Sequence, residues 1–228
     1  MAELTEQDKS VLWRRREDCL DYPNSLPKLL QAVKWSNKED VIEIYNLLYK
    51  WPDIKPVVAI ELLHSIYADI EVKNFAVKCL DKNMKDEEVF RYLLQLVQSL
   101  KNEPYYDNSL TRFLLGRALK SQRIGYRLFW LLKSEISNLK YRYRFGIILE
   151  VYSRGIGNQI KDLLKQVEIV DKLSVLAQEI KKNHDNIALV KSEFLKETLE
   201  KTGFFMKIKK NFELENIYIK IKNFYRLC

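Results

Sequence analysis

Apolar residues in this chain recur at steps of three and four, in block after block about one helix long. In VFRYLLQLVQSL, residues Val89, Leu93, Leu96, Val97 and Leu100 fall on one helical face. KNEPYYDN then breaks the rhythm with Pro104 and Asn108, and Asp107 or Asn108 is placed to cap the next helix. SLTRFLLGRAL resumes it through Leu110, Phe113, Leu114 and Leu119, and GYRLFWLLKSEI offers Tyr126, Phe129, Trp130 and Lys133. Only six Gly and five Pro occur in 228 residues, too little turn punctuation for an all-β fold. The expected class is all-α.

Blocks of the same length lie on either side: LPKLLQAVKW, KEDVIEIYNLLYKW, KPVVAIELLHSIY and DIEVKNFAVKCL before it, RYRFGIILEVYSR and NQIKDLLKQVEIVDKLSVLAQEIKK after it. No strict period of identity links them. Asp69 to Val77, however, resembles a HEAT repeat: Asp69 opens a helix, basic Lys73 sits four residues on, and Val and Ala fill the packing face. Helix pairs that cannot bury their faces alone stack on one another. The predicted architecture is an α-solenoid of HEAT/armadillo-like antiparallel helix pairs.

Charge and cysteine content narrow the partners. The net charge is +8, but Phe204 to Cys228 holds six Lys/Arg against two Glu and so carries half of it. A basic groove along the main body, and nucleic acid as its partner, are not expected. No window approaches the ~20 apolar residues of a membrane span, and MAELTEQDKS has no signal-peptide core. Cys19, Cys79 and Cys228 are odd in number and far apart, which fits reduced thiols in a cytoplasmic protein. The expected domains are residues 1–203 and an atypical basic tail, 204–228. Eighteen of that tail's 25 residues are Phe, Ile, Lys, Asn or Tyr, and IYIKIKNF alternates like a strand. It reads either as translated non-coding sequence or as a basic amphipathic segment for a membrane or partner.

The residues do not form a catalytic constellation. His64 lies in AIELLHSIY and His184 in KKNHDN, neither with a Cys or His at metal spacing. No phosphate-binding loop, kinase motif set or nucleophile elbow occurs. Gly155 and Gly157 in RGIGNQ read as a helix break, and Glu39/Asp40 and Glu87/Glu88 as acids at helix starts. Trp13, Trp35, Trp51 and Trp130 are placed to seal joints near helix ends. Arg112, Arg117, Arg123 and Arg127 are expected at the surface, pairing with acids.

LTEQDKSVLWRRREDC, LPKLLQAVKW, DNSLTRFLLGRALKSQRIGYRLFWLLKSEI and RFGIILEVYSRG together resemble the helical (PIK, or accessory) domain of phosphoinositide 3-kinase catalytic subunits, class I in particular. QRIG followed by FW-x-LKSE is the most specific block, and the resemblance runs from about Leu4 to Lys201. It implies a helical spine that packs against Ras-binding, C2 and kinase domains and meets an SH2-containing regulatory subunit. It also implies a lipid kinase parent that phosphorylates the inositol 3-hydroxyl with ATP and magnesium, and that is recruited from the cytoplasm to membranes. The kinase motifs have no counterpart here, so the chain resembles a fragment lacking that domain.

The resemblance carries one patch over residue by residue. In family members acids at the start of the first helix face a basic SH2 surface, and Glu3, Glu6 and Gln7 stand at the matching positions. The alternative for Glu6 is a first-turn acid that favours the helix dipole, with Thr5 as cap. Catalytic, cofactor and metal residues are expected to be absent. Two further readings stay open: a standalone interaction module acting as a decoy for the regulatory subunit, and a tail-driven binder of membranes or nucleic acid.

Overall fold

A computed structural model describes residues 4–182. Among them run ten α-helices: α1 (Glu6–Arg14), α2 (Leu26–Ala32), α3 (Lys38–Lys50), α4 (Pro56–Glu61), α5 (Ile70–Asn83), α6 (Asp86–Ser99), α7 (Ser109–Lys120), α8 (Gln122–Glu135), α9 (Arg142–Gly155) and α10 (Gln159–Lys182). Three short 3-10 turns join them, and no strand occurs among the described residues. The chain divides after Gly155 into two compact units.

In the first unit the principal packing partners are successive or next-but-one helices. α1 lies on α2, α4 on α5, α7 on α8 and α8 on α9, while α3 meets α5, α5 meets α7, α6 meets α8 and α7 meets α9. Contacts that local in sequence are what stacked helix pairs make. The unit is all-α and solenoid-like, as the periodicity predicts.

Local chemistry sets the helix starts. Asp69 caps α5 by accepting from the Val72 amide at 3.0 Å, and Asn108 caps α7 by accepting from Thr111 at 2.8 Å. Asp107 does not cap; it pairs with Arg112 instead. First-turn acids Glu39 and Asp40 on α3, and Asp86, Glu87 and Glu88 on α6, oppose the positive end of the helix dipole. Gly157 takes φ 59°, a left-handed conformation suited to glycine, in the turn between α9 and α10.

The core follows the predicted faces with two exceptions. Val89, Leu93, Leu96, Val97 and Leu100 are all wholly buried, and so are Leu110 and Leu114. Leu119 is half exposed, laid over Gly155 rather than sunk between helices. On α8 the buried face is Ile124, Gly125, Leu128, Phe129 and Leu132. Tyr126, Trp130 and Lys133 are half-buried at its margin. α4 is shorter than KPVVAIELLHSIY suggests: after Glu61 the backbone tightens into i→i−3 bonds from Leu63 to Ile60, His64 to Glu61 and Tyr67 to His64.

A buried ion pair fastens the stretch between α6 and α7. Lys73 on α5, 2% exposed, reaches Glu103 at 3.3 Å and donates to the Asn102 carbonyl at 2.7 Å. Arg144 on α9 clamps the same stretch through the Glu103 and Tyr105 carbonyls at 2.6 and 2.8 Å. The second unit, among the described residues, is α10 with its short entry turn. Ion pairs Lys165–Asp162 and Lys172–Glu168 run along α10 one turn apart. The boundary expected near Gly203 and the alternating IYIKIKNF stretch lie outside the described residues.

Candidate functional site

The candidate docking patch is the first turn of α1. Thr5 and Asp8 form a reciprocal cap: Asp8 donates its amide to Thr5 Oγ1 at 3.2 Å, and the Thr5 amide and hydroxyl donate to Asp8 Oδ2 at 3.1 and 2.6 Å. This box fixes where the helix begins and turns Glu6 and Gln7 outward. Both are exposed, the Glu6 side chain to 86%. Glu3 lies outside the described residues, so the structure brings together Glu6 and Gln7 but does not place Glu3 beside them.

α1 itself buries none of its residues. Its far end is what holds it. Arg16, just beyond it, bonds Glu43 on α3 at 3.1 Å and covers the Trp13 ring at 5.3 Å, while the next turn sinks Cys19. The acidic first turn is therefore presented free of the core.

Electrostatically the patch is not a bare acid. Lys9 donates to Glu6 Oε1 at 2.7 Å; that hydrogen bond and the Lys9 charge hold the Glu6 carboxyl below its ordinary range, and Lys34 adds to the effect. Hydrogen bonds from Thr5 depress Asp8 likewise. Both acids are ionised at neutral pH. The part of Lys9 is a feature the sequence reading missed, although its i,i+3 spacing from Glu6 is a visible signal.

The remaining candidates fall where packing, not chemistry, explains them. Trp51 seals the end of α3, donating to the Pro23 carbonyl at 3.0 Å, and Trp35 donates to the Leu30 carbonyl at 3.3 Å. Trp130 lies mid-helix in α8, against the expectation of a helix end. Arg117 pairs with Asp81 and Asp86, Arg112 with Asp107, and Arg123 with Glu87. Arg123 and Arg127 both stack on Phe90, at 4.2 and 4.4 Å. His64 is exposed on a turn, and His184 lies outside the described residues.

Burial pushes the thiols of Cys19 and Cys79 up, away from nucleophilic character. Among the described residues no three His, Cys, Asp or Glu side chains converge on a metal position. No described helix is long and apolar enough to cross a membrane.

The phosphoinositide 3-kinase accessory (PIK) domain model matches residues 1–165, well over half of the chain. The chain belongs to that family. Two relatives from Dictyostelium discoideum agree. Phosphatidylinositol 3-kinase 1 is 36% identical over 222 residues, covering 96% of this chain and 14% of the relative. Phosphatidylinositol 3-kinase 2 is 36% identical over 205 residues, covering 90% and 11%. The chain thus spans only 14% and 11% of the length of these relatives.

Proposed function

We propose that this PIK domain is the helical scaffold and regulatory-docking module of a phosphatidylinositol 3-kinase catalytic subunit. In this reading the first turn of α1 receives the basic surface of an SH2 domain from a regulatory subunit. The observation that carries it is the position of Glu6: ionised, exposed, and in the first turn of a helix with no fully buried residue. By the resemblance, Gln7 and Glu3 belong to the same docking motif. Contacts between exposed charges are screened by salt and open to competition, which suits reversible restraint of an enzyme. Lys9 acts here as an internal competitor that an incoming Arg or Lys displaces from Glu6.

The parent enzyme of this proposal is cytoplasmic and reaches membranes only when recruited. Its Ras-binding, C2 and kinase domains pack on the helical stack, and the kinase domain transfers phosphate from magnesium-bound ATP to the inositol 3-hydroxyl. The test of docking is a pull-down of a class I regulatory SH2 domain by this chain, challenged with a phosphotyrosine peptide. Release of the SH2 domain by the peptide is the expected result; no capture, or capture indifferent to the peptide, contradicts it. The multidomain reading is tested separately by immunoblot of the native polypeptide: a band near 27.2 kDa, this chain's own mass, contradicts it.

A further inference from the structure

We infer that the cleft between α5 and α7 is a second docking site, opposite in charge to the first, for an acidic segment of a partner protein with one apolar anchor. The cleft encloses about 380 Å³. Val77, Phe113 and Gly116 make its apolar part, and Lys78, Arg112, Arg117 and Lys120 stand around it with Asp81 as the one acid.

Gly116 decides what the floor can hold. A Cβ built there meets no atom within 4 Å, so the helix gains nothing structurally from glycine at this position. Glycine in a helix interior is unfavourable relative to alanine. Its effect is to leave room beside Phe113 for a side chain from outside.

The rims decide the sign of the guest. Arg117 is held by Asp81 and Asp86, and Arg112 by Asp107. Lys78 and Lys120 are exposed and take no ion-pair partner among the described residues. The cleft thus keeps two uncommitted cations, one on each helix.

From Arg112 to Lys120 the α7 rim runs about 12 Å at the helical rise, the length of about four extended residues. Cations strung along such a line over an apolar floor suit a chain of carboxylates flanking an apolar residue. Phe113 is 7% exposed and offers no open ring face on which a nucleic-acid base could stack.

The test uses the whole chain and a fluorescein-labelled probe peptide, EEDLEDEE, followed by anisotropy, with oligo(dT) as competitor. Two variants carry it, the pair Lys78→Glu/Lys120→Glu and Gly116→Leu. Each is expected to weaken peptide binding about tenfold, the scale of one or two surface ion pairs or one lost apolar anchor. The Gly116→Leu variant is also expected to melt at or above the wild-type temperature, which separates a filled cleft from a misfolded chain. Absence of binding to the wild-type chain, equal binding by wild type and both variants, or displacement of the peptide by oligo(dT) at lower concentration overturns the proposal.

Discussion

α1 and α6 are both short amphipathic helices with a box-like hydrogen bond at their start, yet they serve opposite ends. α6 buries Val89, Leu93, Leu96 and Val97, while α1 buries nothing. The difference teaches where each kind of substitution should be felt. Changes to the buried residues along α5 to α9 should alter stability and leave SH2 docking alone; changes at Glu6 in the first turn of α1 should do the reverse.

The largest expected effect tests the scaffold side. Lys73→Ala strands the buried Glu103 carboxylate without its cation and should cost about 3–5 kcal/mol in urea unfolding, whereas Lys73→Met with Glu103→Met should recover most of it. A loss below about 1 kcal/mol for the single variant would show that the pair does not hold the α6–α7 stretch. Leu93→Ala, at a fully buried position of α6, should cost about 2–5 kcal/mol by the same measurement.

Two glycines sharpen the comparison within the scaffold. A Cβ at Gly125 would run into the Tyr152 hydroxyl and stand 2.7 Å from the Ala118 carbonyl, a backbone atom that cannot step aside. Gly125→Ala should therefore lower the melting temperature. Gly116→Ala, in open space, should raise stability by about 0.5–1 kcal/mol. The same sign for both would contradict the packing described for α8 and α9.

A smaller effect is electrostatic. Tyr45 donates to Asp69 Oδ2 at 2.7 Å, and that hydrogen bond, with burial and the Asp69 charge, pushes its pKa up to about 12. The folded value lies above the unfolded one, near 10. The contribution is therefore present below about pH 10 and lost as pH rises toward 12. Asp69→Ala should return Tyr45 toward its ordinary titration, read by ¹³Cζ-tyrosine NMR, and cost about 1 kcal/mol for the α5 cap.

Much of this was legible before the structure, for physical reasons that differ from residue to residue. The α6 face could be read because leucine and valine at three-four spacing have one reasonable place to go. Asp69 and Asn108 announced their caps because short polar side chains reach the second and third amides beyond them. The α8 face was rotated in the sequence reading because Tyr126 and Trp130 count as apolar in a pattern, while the buried face runs through Ile124, Leu128 and Leu132. Lys73 and Glu103 are thirty residues apart and no local period links them. At the docking patch, the outward acids were visible by resemblance, but the hold of Lys9 on Glu6 needed the side-chain geometry.

The smallest perturbation bears on docking alone. Lys9→Gln should leave the urea midpoint unchanged and raise SH2 affinity a few-fold, because Glu6 is no longer shared. Unchanged affinity would mean that Lys9 does not compete.

The central claim is that SH2 docking resides in the first turn of α1 and the stability of the stack elsewhere. Isothermal titration of a class I regulatory SH2 domain into wild type and Glu6→Lys, with helix content followed by circular dichroism, tests it most directly. The account predicts markedly weaker binding by the variant at unchanged helix content and unfolding midpoint. Equal affinity for the two proteins would contradict it.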